Sequence, residues 1–222
     1  MTQVTISQIQ ALIEEAKALS ESGHSFLDRR WREDGPDGRN HCYRRDYYRF
    51  CMLLARQVKP KLIVELGIDE GDCCGHWAFG APKATVIGVD VHKDVEAPSI
   101  IARSVESTFA NFKYHRAWSW EAVRTLSSEI KSLGGIDILY IDSWHEYDYF
   151  ARDWNDWSPL LNEHALVLVD DLQLGDIARG FTSLPGKKLS DSTMNPAVPL
   201  GIMIRSGEKL NALPFKQRDF MS

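Results

Sequence analysis

A chain of 222 residues is long enough to bury a substantial core without disulfides or metals to staple it, so one domain with short additions is the default expectation. Its net charge of -5, with a pI near 5.8, excludes the broad positive field through which nucleic-acid-binding proteins gain most of their nonspecific affinity. No apolar run approaches the ~18 residues that would span a bilayer, and no basic and apolar signal pattern opens the sequence. The expectation is a cytoplasmic protein with neither a nucleic acid nor a membrane as partner. The four cysteines, Cys42, Cys51, Cys73 and Cys74, form no C-x-x-C pair and are expected as reduced thiols.

In chain order, Ile6, Ile9, Leu12, Ile13, Ala16 and Leu19 share one face at helical spacing, and Thr5 with Gln8 fits a capping box. A polar stretch with Gly35, Pro36 and Gly38 follows, and helical patterning resumes through Tyr47, Phe50, Leu54 and Val58. Residues 1–60 therefore read as a helical extension, and 61–222 as the main domain. Arg29, Arg30, Arg32, Arg44 and Arg45, interleaved with Trp31, Tyr43, Tyr47 and Tyr48, read as a solvated helical surface, with a lid over an anionic or sugar-like ligand as the alternative.

Beyond residue 60 the pattern changes. Lys61–Leu66, Thr85–Val91, FKYHRA, IDILYID and ALVLVDD are short strand candidates. Helix-length segments around Trp120 to Leu133 and Tyr147 to Leu161 separate the last three. Runs apolar on both faces and separated by helices predict an α/β fold built on a buried parallel sheet. After Asp171 come a helical DIARGFTSL, a proline-bearing polar stretch that reads as loop, and a last strand, LGIMIRS.

Chemistry-bearing residues gather at the ends of these strands. VELGIDEG places Glu65, Gly67 and Gly71 in the form E-x-G-x-x-x-G between a strand and a helix, where glycines let backbone approach a ligand. Asp69 occupies the position at which a second glycine would admit a pyrophosphate, so the loop suits a ligand with an ammonium and no phosphate, such as S-adenosylmethionine. Asp90, at the end of the next strand, is placed to accept hydrogen bonds from ribose hydroxyls.

Asp142 ends the fourth strand, and Asp170 and Asp171 end the fifth. Three carboxylates at neighbouring strand ends repel one another unless a cation lies between them, and oxygen ligands without cysteine favour Mg2+, Mn2+ or Ca2+ over Zn2+. The opposing reading, that Asp171 caps the next helix and Asp142 faces solvent or cofactor, stays open on spacing alone. Ser143 and Glu146 fit a capping box that would begin a helix at Trp144 and put His145 in its first turn. The helix dipole would then favour a neutral imidazole, against the nearby carboxylates, and make His145 a candidate general base. Trp144 would shield the cofactor or simply pack. Tyr147, Phe150, Trp154, Trp157 and Leu161, at helical spacing, read as core.

These motifs resemble those of class I S-adenosylmethionine-dependent methyltransferases. More narrowly, IDSWHEYDYFARDWNDWSPLLNEHALVLVDD is similar to the metal-dependent macrocin, mycinamicin and novobiocin type O-methyltransferases and to the cephalosporin hydroxylase family. The resemblance covers about Lys61 to Leu172. It implies a Rossmann-like, seven-stranded, mostly parallel sheet with helices on both faces. It implies Mg2+ (or Mn2+) on Asp142, Asp170 and Asp171, His145 as base, and Glu65, Gly67, Gly71, Asp90, Ser119, Trp120, Asp142 and Trp144 around the S-adenosylmethionine.

The activity it implies is methyl transfer to a hydroxyl of a small molecule, a sugar, glycosylated natural product or other diol. The alternatives are a non-catalytic scaffold that keeps the S-adenosylmethionine pocket and, less well matched to Asp69, a nicotinamide-dependent oxidoreductase. Homo-oligomer formation stays open.

Overall fold

The strands line up in one seven-stranded sheet because their apolar residues alternate between two faces that helices cover. The structure is a computed structural model that describes residues 2–21, 45–69, 71–91, 102–103, 105–196 and 198–216. The arginine-rich segment from Arg29 to Arg44, with Cys42 and Tyr43, lies outside them. In chain order the elements are α1 (Ile6–Glu21), α2 (Arg45–Val58), β1 (Leu62–Leu66), α3 (Asp72–Gly80), β2 (Thr85–Asp90), β3 (Phe112–Arg116) and α4 (Ser119–Ser132). They continue with β4 (Ile136–Ile141), α5 (Tyr147–Trp157), a 3-10 turn (Ser158–Leu160), β5 (Leu161–Val169), α6 (Ile177–Ser183), β6 (Lys187–Asp191) and β7 (Leu200–Ile204).

The sheet order is β3-β2-β1-β4-β5-β7-β6. β1 to β5 pair in parallel, and β7 runs antiparallel to both β5 and β6. The progression of strands along the sheet reverses between β1 and β4, which opens a crevice at the carboxyl ends of those parallel strands.

Two apolar layers sandwich the sheet, and the period-2 geometry of a strand assigns residues to them. Ile63, Ile138, Tyr140, Leu166 and Leu168 face one layer, with Ile9, Ile13, Phe50, Leu54 and Trp77 from α1, α2 and α3. Leu62, Val64, Leu139, Ile141, Val167 and Val169 face the other, with Leu126, Phe150, Trp154 and Trp157 from α4 and α5. The N-terminal helices thus share a continuous core with the sheet. Thr5 and Gln8 form the expected capping box, with Gln8 N–H donating to Thr5 Oγ1 at 3.3 Å and Thr5 N–H to Gln8 Oε1 at 2.8 Å.

Two element expectations are corrected. The stretch read as proline-bearing loop contains β6, whose residues KKLSD are half-buried or exposed. An edge strand needs no apolar face, so it leaves no hydrophobic signal. β5 begins at Leu161 rather than at Ala165, with a register shift against β4 between Ile136 and Ile138. Glu163 and His164 sit in that irregular entry.

Among the described residues Cys51, Cys73 and Cys74 are buried free thiols. No helix among them is long and apolar enough to cross a membrane.

Candidate active site

The site is assembled by backbone bonds that carry the ladder just past the strand ends. Gly67 N–H donates to Val89 O at 2.9 Å, Asp142 N–H to Leu66 O at 2.8 Å and Asp170 N–H to Ile141 O at 3.0 Å. Residues 67, 142 and 170 are thereby set in a row at the carboxyl edge of the sheet.

Gly67 is required there. Its φ is +79°, and a Cβ would stand 2.0 Å from the carbonyl oxygen of Asp142, so only glycine lets the loop after β1 press on the tip of β4. Gly71, at φ +83°, precedes the first turn of α3. The loop between them is tied down by Asp90, whose Oδ2 accepts from Ile68 N–H at 2.9 Å and Asp69 N–H at 3.0 Å.

Glu65 lies beneath this loop, buried, with the Cys74 thiol 3.3 Å from its Oε2. Burial pushes its carboxyl up to about 8, against the stabilising hydrogen bond from Cys74 and with further elevation from the charge of Asp142.

The acidic pair solves the geometric problem that adjacent strand residues pose. β5 stops at Val169, and Asp171 takes a left-handed φ of +53°, a conformation aspartate tolerates better than most residues. The two carboxylates then diverge. Asp171 Oδ2 accepts from His145 Nε2 at 2.8 Å. Asp170 accepts the Tyr140 phenol at 2.9 Å through Oδ2 and the Asp171 N–H at 2.9 Å through Oδ1. Asp171 does not cap the following helix; Asp176 holds that position.

Asp142, His145 and Asp171 converge, each offering one ligand atom, and these atoms all lie within 4.8 Å of one another. The carboxylate oxygens of Asp142 and Asp171 suit Mg2+ or Mn2+, whereas the imidazole nitrogen of His145 is a poorer ligand for these hard cations. Asp170 borders this cluster through Tyr140, whose hydroxyl is also 3.5 Å from Asp142 Oδ2. Burial and then the charges of Asp142 and Asp170 raise the Tyr140 phenol well above its ordinary range, so it stays a proton donor at neutral pH.

The local environment of His145 differs from expectation. The Ser143 hydroxyl donates to Asp153 rather than capping a helix, and α5 begins only at Tyr147, with Glu146 at the N-cap making no side-chain cap bond. His145 therefore precedes the helix and feels no first-turn dipole. Hydrogen bonds to Asp142 and Asp171 push its imidazole up to about 10, against partial burial, so without a cation it is protonated at neutral pH. Gly175, after β5, packs on the His145 backbone so closely that a Cβ would stand 2.3 Å from its carbonyl oxygen, and the Gly175 carbonyl accepts from Tyr147 N–H at 3.0 Å.

Ser119 and Trp120 open α4. Ser119 donates its hydroxyl to the same Asp153 that holds Ser143, linking the loop after β3 to the tip of β4. Asp153 is buried, and burial raises its carboxyl to about 6 despite these two donors. Trp120 stacks on Trp118, with ring centroids 4.7 Å apart, and the Arg152 guanidinium lies 4.1 Å from its ring centre. Trp144 is half exposed and packs on Tyr149 at 5.4 Å.

Sequence reasoning did not single out Tyr140 or Asp153; it named Gly175 only as permitting the turn after Asp171, and it placed Tyr47 on a solvated helical surface, whereas Tyr47 is buried. The strand parity of Tyr140 with Asp142 is the sequence signal that could have found Tyr140.

This crevice, the seven-stranded order and the reversed β7 make up the fold of the class I methyltransferases. Residues 64–172 match the family described as a methyltransferase domain. Solved structures of similar fold include an O-methyltransferase from Bacillus cereus in complex with S-adenosylhomocysteine, at 12% identity and TM-score 0.57, covering 88% of this chain and 91% of that one. An S-adenosylhomocysteine-bound methyltransferase from Podospora anserina matches at 14% identity and TM-score 0.59, covering 92% and 90%. The O-methyltransferase TomG from Streptomyces achromogenes, involved in tomaymycin synthesis and bound to S-adenosylmethionine, matches at 13% and 0.58, covering 88% and 90%. At these identities the likeness speaks to the fold. No curated protein matches the sequence.

Proposed function

We propose that this chain transfers a methyl group from S-adenosylmethionine to a hydroxyl of a small molecule, with a divalent cation, Mg2+ or Mn2+, held by Asp142 and Asp171 and by Asp170 beside them. The observation that carries this reading is the convergence of Asp142, His145 and Asp171 beside Gly67 of the glycine loop.

Asp90 would accept the ribose hydroxyls. Glu65 and the loop from Gly67 to Gly71 would hold the methionine end, and Ser119 and Trp120 the adenine. A bound divalent cation supplies Lewis acidity, lowering the pKa of a coordinated hydroxyl. The protein's share is positioning, because transfer needs the acceptor oxygen in line with the sulfonium methyl. As the new C–O bond forms the C–S bond breaks, leaving S-adenosylhomocysteine and a methyl ether, while the hydroxyl proton departs to a base.

His145 is the group placed to take that proton. The negative charge of Asp142 and Asp171 holds its own proton; neutralising those carboxylates frees it, and Nε2 then accepts the proton of the acceptor. Three carboxylate ligands on an octahedral cation leave room for two acceptor oxygens and a water, which favours a vicinal diol of a sugar or related natural product.

Calorimetric titration with S-adenosylhomocysteine and with NADH, each with and without Mg2+, tests the reading. S-adenosylhomocysteine should bind and NADH should not. NADH binding in preference would overturn it, and S-adenosylhomocysteine binding with no uptake of cation would remove the metal from it.

A further inference from the structure

A chain of buried hydroxyls connects α2 to the acidic cluster. Tyr47, in the first turn of α2, and Tyr140, the penultimate residue of β4, are both buried, with ring centroids 5.9 Å apart. Their hydroxyls are hydrogen-bonded to each other, and the Tyr140 hydroxyl reaches Asp170 Oδ2 at 2.9 Å.

Counting protons gives this chain a direction. A carboxylate can only accept, so the single phenolic proton of Tyr140 goes to Asp170. The Tyr140 oxygen must then be the acceptor of the Tyr47 hydroxyl. Donation by Tyr47 strengthens the outward bond of Tyr140, as in other buried hydrogen-bond chains. Asp142 Oδ2, 3.5 Å from the same Tyr140 hydroxyl, lies on the edge of this interaction.

We propose that Tyr140, with Tyr47 acting through it, is a positioning relay that fixes the rotamer of Asp170 beside Asp142 and so presets the carboxylates for a divalent cation. The inference rests on the metal-dependent reading above. Groups that orient metal-binding carboxylates through hydrogen bonds typically contribute ten- to a hundred-fold to metal affinity. Neither tyrosine touches the reacting atoms; both act by restricting Asp170.

The test is Mn2+ affinity, read from the electron paramagnetic resonance signal of free Mn2+, for the wild type, Tyr140→Phe, Tyr47→Phe and the double variant, with thermal unfolding as the check on folding. Each phenylalanine removes one hydroxyl and little volume. Tyr140→Phe should weaken Mn2+ binding by about ten- to a hundred-fold, and Tyr47→Phe by less. In the Tyr140→Phe background, Tyr47→Phe should change the affinity no further, because its route to Asp170 is already cut; a merely structural pair would instead weaken binding additively or not at all.

Unchanged Mn2+ affinity in folded Tyr140→Phe overturns the relay while leaving the metal reading intact. A wild type that takes up no Mn2+ overturns both. Should Tyr140→Phe fail to fold, Tyr47→Phe decides alone: weakened binding supports the relay and unchanged binding refutes it.

Discussion

The Nε2 of His145 lies 2.8 Å from Asp171 Oδ2 and 3.6 Å from Asp142 Oδ1, so the proposed base is bound to the same carboxylates that would hold a cation. With its imidazole pushed up to about 10 by Asp142 and Asp171, His145 and a divalent cation compete for one pair of charges. Cation binding near pH 8 should therefore release close to one proton. Calorimetry in two buffers of different ionisation enthalpy reads that number directly. His145→Gln should bind the cation with almost no proton release, and equal release from both proteins would show that the proton comes from elsewhere.

The same pair sets a pH dependence for the cation-free protein. A histidine whose folded pKa is raised contributes stability in full below its unfolded value near 6.5, and loses it as pH rises through about 10. The difference in unfolding stability between wild type and His145→Gln should shrink across that window. Because the side chain is about half exposed, solvent screens the effect, and only its sign and pH range are predicted.

Glu65 titrates in another range. Its carboxyl is raised to about 8 by burial, so it folds protonated at neutral pH while the unfolded chain ionises near 4.5. Glutamine reproduces the neutral acid. Between pH 5 and 8 the wild type should lose stability relative to Glu65→Gln by about 1.4 kcal/mol per pH unit at most, levelling off above pH 8. Urea unfolding at three pH values measures this. Parallel curves for the two proteins would show that Glu65 is ionised in the fold.

Two glycines with positive φ separate strain from collision. At Gly134, φ +96°, an added Cβ meets nothing within 4 Å, and Gly134→Ala should cost about 1 kcal/mol through backbone conformation alone. At Gly67 the Cβ would meet the Asp142 carbonyl at 2.0 Å. Gly67→Ala should therefore cost more than about 3 kcal/mol, as expected where a strained position also collides with backbone, or fail to fold. Equal midpoints in urea would contradict the close approach of β1 to β4.

Central strands announce themselves in the sequence because both faces are buried, and Glu65, Asp90 and Asp142 could be placed at their ends by counting. The polar edge strand β6 carries no such mark. The capping-box pattern at Ser143 and Glu146 misled because spacing cannot show that Asp153, nearly two turns into α5, takes the serine hydroxyl. Nor can spacing reveal that Asp171 turns left-handed and swings toward His145 while Asp170 points back to Tyr140. Tyr47 and Tyr140 stand 93 residues apart in the chain, and only the packing of α2 on the sheet joins them.

The measurement closest to the central claim is Mn2+ uptake by the S-adenosylhomocysteine-bound protein, compared between the wild type and Asp171→Ala. The account predicts one Mn2+ per wild-type chain, binding weakened by at least about a hundred-fold in Asp171→Ala, and equal S-adenosylhomocysteine affinity in both. Equal Mn2+ binding by the two proteins, or none by the wild type, would contradict a metal-assisted methyl transfer at the tips of β4 and β5.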